Sequence, residues 1–363
     1  MTAPPPTSPD PTQRNSGASK TIPTPRRVLV VMPTWLGDCV MATPALAALR
    51  KACPESEFIA VFRPAMAGLA ESMPWINRAV TLHDTVAGLR NACRAVGKPR
   101  VDLAVLLPNS FRSAVLPAIL RAKRRLGYAR DGRGWLLTDR LDPPRTDHGQ
   151  YQPTPAVDYY LDLLRSIGVD ADAPQLALRP PETAQATAST ILQRAGLDPS
   201  SDRQLVVLNP GAQRLDKRWP PERFAAVADT LAESHGTITA VNGAPREAEV
   251  LQAVVTSART PVVDLSKAGM TLDALPAVLG RAALLVTNDT GTRHVAAAMG
   301  VPVVSIFGPT TLDWTRIPFD AERALCAVDA STPGPITQIS IEQVVNAARS
   351  LLADRNPAHG VSA

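Results

Sequence analysis

The chain is poor in cysteine, in aromatic rings and in long apolar runs, and each scarcity closes off a class of function. Its four cysteines, Cys39, Cys53, Cys93 and Cys326, are scattered through 363 residues without a C-x-x-C pair. That spacing disfavours a zinc site and offers no disulfide framework, so a reducing compartment is expected. Six Phe, five Trp and four Tyr are too few, and too rarely interleaved with basic residues, to form a stacking platform for nucleic acid. No apolar run approaches the roughly 18 residues of a membrane span, which points to a soluble, cytoplasmic protein. Three familiar signatures are also missing. Where a dinucleotide dehydrogenase would show G-x-G-x-x-G after the first strand, this chain reads PTWLGD. The Gly97-Lys98 pair runs into Pro99 instead of completing a P-loop, and no G-x-S-x-G elbow occurs.

Proline, by contrast, is abundant, with 35 residues in all. Many crowd the opening stretch MTAPPPTSPDPTQRNSGASKTIPTP, which has little apolar surface to offset the entropy of ordering. Residues 1–25 are therefore expected to form a disordered tail. Arg26-Arg27 precedes only five apolar residues before Pro33 and Asp38 intervene, so the pair reads as the entry to a buried strand and not as an export signal. A net charge of +5 and a pI near 9.2 make acidic ligands compatible with the chain without requiring nucleic acid.

From Arg27 onward short Val/Ile/Leu runs alternate with helical stretches, the pattern of parallel sheets covered on both faces. The first series has VLVVM at 28–32, a helix from about Cys39 to Ala52, EFIAVF at 57–62 and LAVLLP at 103–108. In the second, LVVLN at 205–209, TITAVN at 237–242, VVDL at 262–265, LLVTN at 284–288 and VPVVSIF at 301–307 are separated by helices. Paired prolines in LRPPETAQA, 178–186, suggest a domain end and a hinge. A last helical pattern, Ile341 to Ala353, fits against either half.

Four strand-to-helix turns carry residues suited to chemistry. In NDTGTRH, Asp289, Thr290 and Gly291 open a helix whose free amides and dipole suit a pyrophosphate, with His294 one turn on. The same residues serve equally as an ordinary helix cap. NPGAQRLDKRWP offers Gly211 for close approach and Lys217 and Arg218 for a diphosphate, or a solvated basic turn. In VNGAPREAEV, Glu247 can accept from ribose hydroxyls or simply favour a helix start. Gly37 and Asp38 of PTWLGD lie where a strand gives way to a helix, and Asp38 can serve as general base or as N-cap.

Together these segments resemble the ADP-heptose:lipopolysaccharide heptosyltransferases, the family 9 glycosyltransferases of GT-B fold, over nearly all of 27–352. The marks are PTWLGDCVMATPAL, LPNSFRSAVLP at 107–117, RLGYARDGRGWLL at 125–137, NPGAQRLDKRWP and NDTGTRHVAAAMGVPVVSIFGPT. The middle two are closer to the transferases that add the second heptose, and Thr290 stands where relatives often have serine. The resemblance implies an α/β chain of two Rossmann-like domains facing across a deep cleft: an acceptor domain over 26–178 and a nucleotide-sugar domain over 179–355.

It further implies an inverting transfer from ADP-heptose to the heptose of the lipopolysaccharide inner core. Asp38 would be the base. Gly211, Lys217, Glu247, Met270, Asp289, Thr290, Gly291 and His294 would hold the donor, Glu247 at the ribose and Met270 beside adenine. Gly37, Ser110, Arg112, Arg124 and Arg125 would meet the acceptor; the last two belong to the basic run RAKRRLGYARDGR, 121–133. No cofactor beyond the donor substrate is expected, and no D-x-D pair is placed to hold a metal at the phosphates. The expected location is the cytoplasm, with peripheral contact at the inner membrane. Two other readings fit the same residues: a family 9 transferase using another nucleotide sugar, and a nucleotide-sugar-binding or epimerase-like protein of this fold without an acceptor.

Overall fold

A computed structural model describes residues 24–172, 175–198, 201 and 203–354. Apart from Thr24 and Pro25, the expected tail lies outside them. Twelve strands form two sheets in which every pairing is parallel. The first contains β1 (Arg27–Val31), β2 (Glu57–Phe62), β3 (Arg78–Thr81), β4 (Leu103–Leu106), β5 (Arg124–Tyr128) and β6 (Asp139–Leu141), in the order β3-β2-β1-β4-β5-β6. The second contains β7 (Leu205–Asn209), β8 (Ile238–Val241), β9 (Val262–Asp264), β10 (Leu284–Asn288), β11 (Val303–Phe307) and β12 (Glu322–Cys326), in the order β12-β11-β10-β7-β8-β9. Counted from its own first strand, each sheet is a 3-2-1-4-5-6 doubly wound sheet. Each therefore has a switch point between its first and fourth strands, where the chain leaves in opposite directions and a crevice opens. The central strands β1, β10 and β11 are buried along their whole length, as their unbroken apolar sequences require.

The helix expected from about Cys39 begins earlier and divides into α1 (Leu36–Met41) and α2 (Thr43–Ala52). Pro44 is the cause: it has no amide to give to the carbonyl of Val40. That carbonyl accepts instead from the Thr43 hydroxyl at 2.7 Å. Helices α3 (Val86–Val96) and α4 (Phe111–Ile119) cover one face of the first sheet, while α2 and α5 (Ala156–Arg165) cover the other. In the second half lie α6 (Glu182–Arg194), α7 (Pro221–His235), α8 (Ala248–Ser257), α9 (Leu275–Leu279), α10 (Gly291–Ala298) and α11 (Ile341–Ala353). The final helix joins the second half, packing on α7 and across β10 to β12.

One apolar cluster runs from Leu46 and Leu161 of the first half to Leu275, Leu279, Val295 and Ala296 of the second. The two halves thus share a core, and α1 lies against α10. The connecting segment is tied to both: the amide of Ala177 donates to Thr43 Oγ1 at 3.2 Å, that of Leu178 to the carbonyl of Ala298 at 3.3 Å, and that of Arg179 to the carbonyl of Ser72 at 2.8 Å. Among the described residues, no helix is long and apolar enough to cross a membrane.

Candidate active site

The carboxyl ends of β7 and β10 are neighbours in the register, Asn209 lying opposite Thr287, so the loops that follow them meet. Asn288, the last residue of β10, fastens them together. Its Nδ2 donates to the carbonyl of Pro210 at 2.8 Å, and its Oδ1 accepts from the amide of Trp219 at 3.1 Å. This holds the turn between them in place and brings Lys217 to Asp289, with Nζ donating to Oδ2 at 2.7 Å and the Thr310 hydroxyl donating to the same oxygen at 3.0 Å. Burial alone would raise the Asp289 carboxyl; the ammonium of Lys217, with Arg293 and His294 behind it, outweighs burial and holds it below the usual carboxylate range.

Thr290 precedes α10, its hydroxyl 3.2 Å from that of Thr287 and reached by Asn209 Nδ2 at 3.5 Å. The first amides of α10, those of Gly291 and Thr292, have no acceptor among the described residues, leaving donors and the positive end of a helix dipole directed at one spot.

Glu247 comes to the same edge from the loop after β8. Its buried carboxylate accepts from the amide of Ala244 at 2.8 Å and fills the space a side chain on Gly211 would need. A Cβ on Gly243 would stand 3.1 Å from its Oε2. What approaches Gly211 in this structure is therefore Glu247, and the two glycines let a carboxylate sit at the ends of β7 and β8. Met270, half-buried, follows the left-handed Gly269 beyond β9.

From the first half, α1 presents Asp38 in its first turn. Burial pushes its carboxyl up to about 6, and no group among the described residues hydrogen-bonds to the carboxylate. The turn that carries Asp38 touches α10 directly. A Cβ on Gly37 would lie 2.8 Å from His294 Nδ1, and one on Gly291 would lie 2.9 Å from the Gly37 amide nitrogen. Gly37 is buried at this seam, and its missing side chain lets α1 reach α10. His294 is itself buried, its Nδ1 without a partner. Burial, then the charge of Arg293, lowers it to about 4, so the imidazole is neutral near pH 7. Arg293 is fixed behind it by Glu322 Oε1 and Oε2 at 2.5 and 2.8 Å and by the carbonyl of Thr315 at 2.8 Å.

The residues expected to meet the acceptor divide into two groups. Ser110 and Arg112 stand exposed after β4, at the carboxyl end of the sheet, and Arg112 pairs with Asp84, which also takes Arg63. Arg124 and Arg125 lie elsewhere in the first half. They open β5, which sets Arg124 about 13 Å and Arg125 about 10 Å from the strand's carboxyl end. Their charges are also used: Arg124 binds Asp139 at 2.5 Å, and Arg125 donates to the carbonyls of Leu136 and Ala122 at 2.6 and 2.7 Å. Arg133, visible in the sequence only as part of the basic run, is fully buried. It holds the 108–110 turn through the carbonyl of Pro108, Ser113 Oγ at 2.6 Å and Asn109 Oδ1 at 3.3 Å. Asn288, Arg133 and Arg293 were missed because a buried polar residue is recognisable by its partners, and all of these are distant in sequence.

The description "Glycosyltransferase family 9 (heptosyltransferase)" matches residues 89–335. Lipopolysaccharide heptosyltransferase 2 of Escherichia coli is 30% identical over 304 residues, covering 80% of this chain and 84% of that protein. Lipooligosaccharide heptosyltransferase 2 of Haemophilus ducreyi is 28% identical over 310 residues, covering 80% and 85%. Among solved structures, a family 9 glycosyl transferase from Veillonella parvula superposes with a TM-score of 0.81 at 26% identity, covering 93% of this chain and 100% of that one. The ADP-heptose lps heptosyltransferase II of E. coli shares the fold, with a TM-score of 0.76 at 23% identity over 90% and 99% of the two chains.

Proposed function

The chain belongs to glycosyltransferase family 9, the heptosyltransferases, and from that premise we propose that it moves L-glycero-D-manno-heptose from ADP-heptose to the heptose of the lipopolysaccharide inner core. The observation that carries this reading is the contact of α1 with α10, which brings the turn bearing Asp38 to the amide end of the helix opened by Thr290 and Gly291. A proton acceptor from one half and a site for departing diphosphate from the other thus meet at one seam.

The chemistry follows from that arrangement. Asp38 takes the proton of an acceptor hydroxyl; its poorly solvated carboxylate, with a pKa near 6, is a stronger base than an exposed aspartate and still ionised at pH 7. The freed oxygen attacks the anomeric carbon from the face opposite the nucleotide, the bond to the diphosphate breaks, and the configuration inverts. Negative charge grows on the leaving ADP, where the α10 amides and Lys217 can meet it without reorganising. Asp289, paired with Lys217, can accept from sugar hydroxyls. Glu247 suits the ribose diol, and Met270 an adenine face.

Ser110 and Arg112, on the exposed rim after β4, suit an anionic saccharide. The acceptor is anchored in a bilayer, so the reaction would take place at the cytoplasmic face of the inner membrane. Incubation of the purified chain with ADP-heptose and a core acceptor ending in its first heptose tests the reading. Acceptor-dependent ADP release with a one-heptose mass gain is expected; release no faster than in an acceptor-free control would refute it.

A further inference from the structure

The outer layer of the first half carries a surface that the transfer chemistry does not use. Helices α3 and α4 lie side by side on the face of the first sheet turned away from the second half. Along α4, Phe111, Val115 and Ile119 are spaced one turn apart and share a face. That face points outward: Phe111 is 45% and Ile119 54% exposed, with Val115 half-buried between them. Trp135, 72% exposed, places its ring 6.1 Å from that of Phe111 and extends the stripe. The inner side of α4 already feeds the core through Ala114 and Leu116, so a surface helix would be expected to show water a polar back. This one shows a second apolar face.

The surrounding charge is predominantly positive, although Asp84 pairs with Arg112 where α4 begins. Between Thr85 and Arg125 the chain has nine cations, Arg90, Arg94, Lys98, Arg100, Arg112, Arg121, Lys123, Arg124 and Arg125, against the single acid Asp102. Lys123 pairs with Asp102 at 2.7 Å. Arg90, Arg94, Lys98 and Arg121 are exposed and form no ion pair among the described residues. On α3, Arg90 and Arg94 continue the row begun by the exposed Val86. Apolar rings and a branched alkyl chain flanked by free cations match a bilayer interface, with the side chains entering the headgroup region and the cations facing lipid phosphates. Nucleic acid would satisfy the charge but has no use for Ile119.

We propose that the outer face of α3 and α4, together with Trp135, docks the chain onto an anionic phospholipid surface. Because α4 starts at the carboxyl end of β4, beside Ser110, docking along it brings the mouth of the cleft to the plane from which a lipid-anchored saccharide projects. That use rests on the proposed transfer, but binding itself needs neither donor nor acceptor.

The test is co-sedimentation of the full chain with phosphatidylcholine vesicles, with and without one-third phosphatidylglycerol. Partition onto the mixed vesicles and little onto the neutral ones is expected. Ile119→Asp should weaken partition at least fivefold, as should Arg90→Glu combined with Arg94→Glu, since each surface cation is worth about a factor of five. Both variants should bind ADP like the parent by calorimetry, which also reports that they are folded. Absence of partition by the parent chain, variants that partition equally well, or a duplex oligonucleotide that binds more tightly than the vesicles and is indifferent to Ile119→Asp would each overturn the proposal. Transfer to a deacylated, water-soluble acceptor separates the two readings. Its loss with vesicle binding intact counts against the enzyme assignment alone, and retained transfer with no vesicle binding counts against docking alone.

Discussion

His294 holds its imidazole where a side chain on Gly37 would have to be, with Nδ1 2.8 Å and Cε1 3.0 Å from the position a Cβ would take. Here the turn that carries Asp38 in one half meets the amide end of α10 in the other, and two glycines, Gly37 and Gly291, set how closely they approach.

Gly37→Ala should therefore leave each half folded and spoil their alignment. A methyl group forces α1 and α10 apart by a fraction of an ångström to an ångström, and a misplacement of that size costs about a hundredfold in rate. Steady-state kinetics should show kcat falling by that order while ADP affinity, measured by calorimetry, stays within about threefold. A kcat unchanged by the substitution would mean the seam does not align the reacting groups.

Asp38 should impose a single acidic limb on the rate. Its carboxyl is pushed up to about 6, and only the ionised form accepts a proton, so kcat/KM should rise with pH through about 6 and then level. His294, lowered to about 4, stays neutral across that range and should add no second limb. Asp38→Asn should cost about a thousandfold in transfer and spare ADP binding. It should also stabilise the fold. A pKa raised in the folded state favours folding below the unfolded value near 4, an advantage lost as pH rises through 6. The neutral amide thus gains about 3 kcal/mol well above pH 6 and little at pH 4. Thermal unfolding at the two pH values measures this.

Lys217 and Asp289 should prove coupled. Removing the cation in Lys217→Met leaves a buried carboxylate with the Thr310 hydroxyl as its one remaining hydrogen-bond donor among the described residues, a loss of about 3 kcal/mol in chemical denaturation. Adding Asp289→Asn should restore most of that stability, because the stranded charge disappears, while ADP affinity stays at least about tenfold below the parent. Additive losses in the double variant would show that the two side chains act independently.

Glu247 should decide how the ribose is read. The parent is expected to bind ADP about tenfold more tightly than 2′-deoxy-ADP, the worth of one charge-assisted hydrogen bond. In Glu247→Gln the gap should shrink to about twofold. A variant that keeps the full preference would place the ribose elsewhere.

The turns of the second half were legible because each lies wholly within a short stretch of chain. A buried run such as LLVTN reports its own strand, and the residues next to it, Asp289, Thr290 and Gly291, must then occupy the carboxyl end where a helix begins. β5 and β12 were not legible in the same way. RRLGY and ERALC carry too much charge to read as strands until Asp139 is seen to neutralise Arg124 and Glu322 to grip Arg293. For the same reason the partners of Arg124 and Arg125 were not legible: a cluster of cations looks like a surface when the carboxylate and carbonyls that pair with it are distant in sequence.

The amino-acid sequence by itself determined the two series of buried strands, the places where they give way to helices and the chemical character of those turns, since hydrophobic periodicity and capping residues act over a few neighbours. Tertiary structure alone decided which turns face one another, that Gly37 serves the seam and Gly211 makes room for Glu247, and that Asn288, Arg133 and Arg293 hold the loops. Those outcomes depend on contacts between residues far apart in the chain, and only the folded packing of two sheets around a shared core brings them within hydrogen-bonding distance.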